Sequence, residues 1–136
     1  MQNDFYIGIN VFVIRDGKLL LGKRREAFGV GEWGLPGGHL EQNERFTEAA
    51  RRELDEETGM SARDFIFENI INQPQGEKHY IQIGFRAEDP KGEPELREPG
   101  RCYEWKWFNT NEFPKNIFIA HREQIRLFLK KESFAE

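Results

Sequence analysis

The sequence is poor in the residues that mark secreted and membrane proteins. It has a single cysteine, Cys102, which excludes an internal disulfide and favours a reducing compartment. Its apolar runs are far too short to span a bilayer. The opening residues MQNDFYIGINVF lack the basic segment and cleavage site of a signal peptide. We therefore expect a cytoplasmic protein without a membrane partner.

An excess of positive charge is also missing. The chain has 20 Lys and Arg against 24 Asp and Glu, a net charge of −4. This balance argues against a broad basic face and hence against nucleic acid as a partner. An anionic small molecule stays compatible with it if a cation mediates binding. With 136 residues, the chain is expected to form a single domain over residues 1–136 whose core needs no disulfide.

Hydrophobic periodicity and turn residues predict an α/β or α+β layer fold in which helices cover a mixed sheet. Asp16-Gly17 marks a β-hairpin within YIGINVFVIRDGKLLLGKR, and the glycine-rich segment 28–38 predicts a loop or broken strand. A helix is expected from Phe46 to Thr58, with Gly59 just beyond its end. Further along we expect strands at 65–73 and 79–88 joined by a turn at PQGEK, a loop at 88–100, a strand at 102–108 and a terminal helix at 119–131.

The predicted helix carries acidic residues on the wrong side. On a helical wheel, Glu53, Glu56 and Glu57 fall on or beside the apolar face, whereas Asp55 takes the solvent side. A buried, uncompensated carboxylate is costly, and glutamates three or four positions apart repel one another. The apolar face consists of Phe46, Ala49, Ala50 and Leu54.

A cation would explain this arrangement. Arg52 can neutralise one carboxylate, and the remaining ones suit Mg²⁺, which prefers a few carboxylates together with water and phosphate oxygens. Gly37 and Gly38 would let the backbone approach a metal or a phosphate closely, so that a backbone carbonyl there could be a further ligand. Glu44, just before the helix, could pair with Arg52 and hold the loop against the helix.

These residues match a family pattern. Gly38, five residues, Glu44, seven residues and then RELDEETGM, from Arg52 to Met60, resemble the Nudix box over 23 residues, and the flanking order of elements is similar to the Nudix fold. The resemblance implies an α/β/α sandwich with a mixed sheet, a box helix and a C-terminal helix. It also implies a Mg²⁺-dependent hydrolase of nucleoside diphosphates linked to another group, with Mn²⁺ as a substitute ion.

The resemblance assigns roles by position. Glu53, Glu56 and Glu57 correspond to the metal-binding glutamates, and Glu57 or Glu56 can also influence the attacking water. Arg52 and Glu44 correspond to the supporting pair, with Arg52 counted among the catalytic residues, and Gly37-Gly38 corresponds to the carbonyl ligand. Some relatives add an acid from a later loop, for which Glu98 is a candidate alongside the neighbouring Glu93 and Glu95.

The segments LLLGKRR, GLPGGHLE, HYIQIGF and YEWKWF resemble the MutT-like nucleoside-triphosphate diphosphatases. That branch implies hydrolysis of a nucleoside triphosphate, deoxy or modified forms included, to a monophosphate and pyrophosphate. ADP-ribose, a dinucleoside polyphosphate or a pterin triphosphate are alternative substrates. A nucleotide sensor without hydrolysis is a further alternative, which the intact box disfavours. A homodimer is left open.

The substrate-binding candidates lie around the box. Lys23 and Arg24 end a strand and could reach phosphate oxygens, or could be surface charges. The backbone of residues 31–35 is placed to meet a base, and His39 stands in the glycine loop beside the box. His79 and His121 are interpreted as structural or surface residues. Candidates for a base-stacking wall, each with core packing as its competing role, are Phe28, Trp33, Leu35, His39, Phe85 and Phe118.

Overall fold

The structure is a computed structural model that describes residues 4–26, 28–75 and 78–136. It confirms the predicted layer fold of mixed sheets and two helices. The centre of the predicted PQGEK turn, residues 76–77, lies outside the described residues. The elements are β1 (Phe5–Phe12), β2 (Ile14–Arg15), β3 (Lys18–Arg24), β4 (Trp33–Gly34), β5 (Gly37–His39), α1 (Phe46–Thr58), β6 (Asp64–Gln75), β7 (Lys78–Glu88), β8 (Cys102–Asn109), α2 (Ile119–Lys130) and β9 (Phe134–Ala135).

The first sheet has the strand order β5-β1-β7-β6-β9. Strand β1 runs parallel to β7 and antiparallel to β5, so it lies between them. Successive side chains of β1 point to opposite faces. Ile9 and Val11 pack with the buried residues of α1, whereas Phe12 stacks on Phe128 of α2 at a centroid distance of 4.2 Å. The two helices therefore cover opposite faces of this sheet.

The second sheet contains β2, β3, β4 and β8, with β3 between β4 and β8. The Asp16-Gly17 turn is confirmed, and both residues have positive φ angles of 52° and 73°, as a tight hairpin turn requires. The turn joins β3 only to the short β2, however. Strand β1 belongs to the other sheet, because the chain changes sheets between Phe12 and Ile14.

Helix α1 has the predicted bounds. Its first turn is capped by the Glu48 carboxylate, which accepts a hydrogen bond from the Arg45 backbone N–H at 2.9 Å. At its end, Gly59 takes a left-handed φ of 73° and donates to the Asp55 carbonyl at 2.8 Å. The predicted apolar face is wrong at Phe46, because this first-turn side chain is 46% exposed.

No helix within the described residues combines the length and the apolar character that crossing a membrane would require.

Candidate active site

A cavity of about 980 Å³ opens between α1, β1, β5 and the start of α2. This volume suits a ligand of nucleotide size. One part of its wall is acidic and carries Glu53, Glu56 and Glu57. The rest combines aromatic, basic and amide side chains, so the cavity joins a carboxylate cluster to a surface that can hold an organic group.

Glu53 is the most buried of the three box glutamates, with 5% of its surface exposed. Its Oε1 accepts a hydrogen bond from Arg52 Nη1 at 2.7 Å, while its Oε2 is buried and has no partner. Burial raises the pKa of Glu53, and Arg52 opposes that shift. A Cβ atom at Gly38 would lie 2.5 Å from the Glu53 Cδ, so only glycine leaves room for this carboxylate.

Glu57 is tied to the loop before the helix. Its Oε1 accepts a hydrogen bond from the Gly37 backbone N–H at 2.6 Å. Burial raises the pKa of Glu57 to about 8, and the negative charges of Glu53 and Glu98 add to the shift. The carboxyl group therefore lies in a site that disfavours its charge until a cation compensates it.

Glu56 and Asp55 are both exposed, but they differ in their surroundings. Glu56 lies on the cavity wall, 3.3 Å from Arg52 Nη1. Asp55 points outward, and its ion-pair partner within the described residues is Arg97, at 3.8 Å. These positions agree with the helical wheel, which separates Asp55 from the three glutamates.

Arg52 and Glu44 form the supporting pair. Arg52 Nε donates to Glu44 Oε2 at 2.6 Å and Nη2 donates to Oε1 at 3.0 Å, a bidentate pairing. The hydrogen bond from Arg52 lowers the pKa of Glu44. Arg52 Nη2 also donates to the His39 carbonyl at 3.1 Å, so one guanidinium connects β5, the loop and α1.

The donor set fits a divalent cation. Within the described ranges, no three His, Cys, Asp or Glu side chains already converge as a complete cage. Arg52 and the Gly37 N–H each hold one carboxylate oxygen, of Glu53 and Glu57 respectively. The buried Glu53 Oε2 still lacks a partner, and a hard cation would provide one.

Glu98 differs from its acidic neighbours in the 88–100 loop. Glu93 pairs with Arg15 at 2.9 Å and Glu95 with Arg97 at 3.3 Å. Glu98 Oε1 lies 3.7 Å from Arg101 Nη1 but is buried without a hydrogen bond, and its charge contributes to raising the pKa of Glu57. Among Glu93, Glu95 and Glu98, Glu98 is the residue whose charge is identified as a cause of the raised pKa of Glu57.

The two basic candidates, Lys23 and Arg24, differ in position because neighbouring residues in a strand point to opposite faces. Arg24 lies on the cavity wall with its guanidinium 3.8 Å from the centre of the Phe118 ring, and its Nε donates to the Phe28 carbonyl at 3.1 Å. Burial lowers the pKa of Arg24. Lys23, by contrast, is not among the residues that line this cavity.

The candidates for a base-stacking wall also divide. Phe118 and Leu35 line the cavity, as do the exposed Phe28 and His39. Trp33 is instead 9% exposed and packs edge-on against Phe108 in the core, at a centroid distance of 4.9 Å. Phe85 likewise belongs to the core beneath α1.

The backbone of residues 31–35 is engaged within the protein. The Trp33 N–H donates to the Asn116 carbonyl at 2.9 Å, and the Leu35 N–H donates to His121 Nδ1 at 3.0 Å. These two N–H groups are used within the protein, while Gly34 and Leu35 line the cavity, so a contact between this backbone and a base stays a prediction. His121 is buried as expected for a structural residue, and burial lowers its pKa to about 3.

Several cavity residues were not predicted. They include Tyr80, Arg101 and Trp105, together with the amides Asn10 and Gln82. The signal for the amides was present in the sequence. Asn10 in YIGINVF and Gln82 in HYIQIGF are polar residues within apolar strands, on the face opposite the one that packs against α1.

The site is thus a glutamate-rich loop and helix beside the cleft of a mixed-sheet fold. The NUDIX domain model matches residues 5–128, so the chain belongs to the NUDIX family. Members of this family generally use divalent metal ions.

Individual relatives agree with this membership. An oxidized purine nucleoside triphosphate hydrolase of Danio rerio is 35% identical over 107 residues, which cover 76% of this chain and 66% of that protein. An RNA pyrophosphohydrolase of Erythrobacter litoralis is 29% identical and aligns with 86% of this chain and 83% of that protein. Among solved structures, a MutT NUDIX hydrolase from Burkholderia pseudomallei has a TM-score of 0.85 and 29% identity, covering 90% of this chain and 97% of that one.

Proposed function

We propose that this chain hydrolyses nucleoside triphosphates to nucleoside monophosphate and pyrophosphate, with Mg²⁺ as the cofactor and Mn²⁺ as a substitute. The observation that carries the proposal is the buried, unpartnered Glu53 Oε2 at the acidic end of a cavity of about 980 Å³. The similarity to an enzyme named for nucleoside triphosphate hydrolysis supports the same substrate class.

The metal would be held by Glu53, Glu56 and Glu57, with the backbone at Gly37-Gly38 and Glu98 as further oxygen donors. When bound, it would neutralise the polyphosphate charge and lower the pKa of a bound water. The chain's own part is to fix these oxygens before the substrate arrives. The Gly37 N–H orients the Glu57 carboxylate, and Arg52 orients that of Glu53.

The group that accepts the proton of the attacking water would also lie on α1. A general base must lie within hydrogen-bond reach of the water. Glu57 lines the cavity, and the Gly37 N–H holds its carboxylate in a fixed orientation. We assign the proton to Glu57, with the more exposed Glu56 as the alternative acceptor.

The organic part of the nucleotide would occupy the rest of the cavity. Phe118 offers an aromatic face, on which a base can stack. Arg24 and Arg101 lie on the wall of the same cavity and supply positive charge for phosphate oxygens. Leu35 and His39 complete the candidates on this wall.

The test is hydrolysis in ¹⁸O-labelled water with Mg²⁺, followed by mass spectrometry. The substrates are the eight common nucleoside and deoxynucleoside triphosphates, 8-oxo-dGTP, ADP-ribose, a dinucleoside polyphosphate and a pterin triphosphate. We expect pyrophosphate and a monophosphate as products, with one labelled oxygen on the phosphorus that water attacked. Orthophosphate and a nucleoside diphosphate as the main products would contradict the proposal. Turnover of ADP-ribose or of a dinucleoside polyphosphate alone would also contradict it.

A further inference from the structure

Three buried amide side chains meet beside the cavity. Asn10 in β1 is 3% exposed, Gln82 in β7 is 4% exposed and Gln124 in α2 is fully buried. Asn10 Nδ2 donates to Gln82 Oε1 at 2.7 Å and to Gln124 Oε1 at 2.9 Å. One amide NH₂ group thus fixes the carbonyl ends of both glutamines.

These hydrogen bonds do not use every polar atom of the three amides. Both hydrogens of Asn10 Nδ2 are used, so Asn10 retains its Oδ1 acceptor and Gln82 retains its Nε2 donor. Within the described residues these two side chains make no other side-chain hydrogen bonds. Both residues line the cavity. Gln124 Nε2, behind them, is buried without a partner.

Glycines on neighbouring strands make room for the two amide side chains. A Cβ atom at Gly8 would collide with the Gln82 carboxamide, and one at Gly37 would collide with Asn10. Gly8 is the register partner of Gln82, and Gly37 is the register partner of Asn10. No side chain therefore lies beside Gln82 at its register position on β1, or beside Asn10 at its register position on β5, whereas the partner of Gln82 on β6 is the buried Ile71.

The location separates the amide pair from the charged end of the cavity. Gly37, next to Asn10, holds Glu57 by its N–H. Two residues before Gln82, on the same face of β7, Tyr80 stacks on Tyr6 at a centroid distance of 5.2 Å. The amides thus lie between the carboxylates and an aromatic platform. A neutral group with hydrogen-bonding edges suits this place better than a phosphate, which needs cations.

A purely structural amide network would be fully satisfied within the protein. Here, Asn10 Oδ1 and Gln82 Nε2 have no side-chain hydrogen bond within the described residues, and both residues line the cavity, so this acceptor and this donor are left for a ligand. We propose that Asn10 and Gln82 read the base of the substrate, with Asn10 Oδ1 accepting from, and Gln82 Nε2 donating to, a base edge that presents a donor beside an acceptor. This inference deepens the proposed function and rests on it.

The test measures binding rather than turnover. The probes are AMP, GMP, CMP and UMP, with ribose 5-phosphate as a ligand without a base, and the readouts are the rise in melting temperature and the Kd by calorimetry. The variants are Gln82→Met, which removes the free donor at similar volume, and Gln82→Glu, which keeps an acceptor for Asn10 but replaces the donor with a carboxylate oxygen. Gln42→Glu, in the exposed loop before α1, is the matched charge control.

We expect the wild type to bind at least one nucleoside monophosphate at least tenfold more tightly than ribose 5-phosphate, because a site built to hydrogen-bond a base loses much affinity when those partners are absent. Gln82→Met should reduce the preference for the nucleoside monophosphate over ribose 5-phosphate by about tenfold. It should also bring the Kd values of the four nucleoside monophosphates to within about threefold of one another. Gln82→Glu should shift the ranking towards GMP, whose base edge offers adjacent N–H donors. The Kd for ribose 5-phosphate should stay unchanged in both variants, and Gln42→Glu should match the wild type throughout.

An unchanged ranking of the four bases in a folded Gln82→Met or Gln82→Glu variant would overturn the inference. So would a wild type that binds all five probes equally. Failure of the proposed function has a different signature, since the wild type would then lack triphosphate hydrolysis in the labelled-water experiment while the base ranking of the monophosphates persisted.

Discussion

Glu57 of α1 and Gly37 of β5 are joined by a hydrogen bond of 2.6 Å, from the Gly37 backbone N–H to the Glu57 carboxylate. This bond spans 20 residues and sets one carboxylate of the box against the strand edge where its metal would lie. A glutamine at position 57 can still accept that bond through its carbonyl oxygen. The bond therefore allows the charge of Glu57 to be removed without releasing the helix from the loop.

Glu57→Gln should lower kcat by at least about a hundredfold, because it removes a metal ligand and the proposed proton acceptor. It should also abolish most of the rise in melting temperature that Mg²⁺ gives the wild type, while the metal-free variant stays folded. Asp55→Asn is the matched control on the solvent side of the same helix and should behave as the wild type. Near-normal turnover by Glu57→Gln would contradict the assignment.

Gly38→Ala tests the space reserved for Glu53. Gly38 does not have a positive φ, so the backbone conformation itself permits alanine. The added Cβ would, however, press on the Glu53 carboxylate. We expect the Kd for Mg²⁺ to rise at least tenfold, because a small displacement of a ligand weakens coordination, with a smaller effect on the melting temperature. Gly100→Ala is the control, since a Cβ there would meet nothing within 4 Å. Equal Mg²⁺ affinity of the two variants would show that Gly38 has no such role.

Phe118→Ala tests the aromatic wall. Loss of a stacking contact is worth about 1–3 kcal/mol, so KM for the preferred nucleotide should rise roughly five- to a hundredfold with a smaller change in kcat. Since Phe118 is only half-buried, the loss of stability should stay below the roughly 3–5 kcal/mol of a core phenylalanine. Trp33→Ala provides the contrast, with a large loss of stability and an unaltered base preference. If Phe118→Ala gave that second pattern, Phe118 would be a core residue and not a wall of the site.

His121 predicts an acid-sensitive fold. Its pKa is lowered from 6.5 to about 3 by burial, so the folded state binds fewer protons than the unfolded state between these values. Stability should be complete above pH 6.5 and fall as the pH drops towards 3, with a loss of about 2 kcal/mol at pH 5 from this group. His121→Asn can still accept from the Leu35 N–H but does not titrate. Denaturant unfolding between pH 7 and 4 should show a shallower pH dependence in this variant, and identical slopes would refute the assignment.

The sequence was sufficient for local features and for features that recur at fixed spacing. The end of α1 followed from Gly59, the separation of Asp55 from the three glutamates followed from the helical wheel, and the pairing of Arg52 with Glu44 followed from the box. The sheet assignment of β1 did not follow, because its partner β7 begins more than sixty residues after β1 ends and no local signal encodes that pairing. Propensity and turn residues favoured the neighbouring hairpin instead.

The sequence marks Asn10 and Gln82 as unusual polar residues in apolar strands, but it does not show that they meet, for the same physical reason. Asn10 and Gln82 are 72 residues apart, and Asn10 and Gln124 are 114 apart, so their hydrogen bonds exist only once the sheet and α2 have assembled. The different positions of Lys23 and Arg24 depend on which face of β3 turns towards the cavity, and that is set by the pairing of β3 with β8 and β4.

Alternate residues of β1 serve two different purposes, packing in the core and lining the cavity. Ile9 and Val11 pack beneath α1, while Gly8 and Asn10 border the cavity. A slip of one residue in its pairing would exchange the two sets. Changes of substrate preference can therefore arise along β1 only at every second position, whereas length changes in this strand would alter stability and recognition together. New specificities in this part of the fold are thus expected to evolve by substitution and not by insertion or deletion.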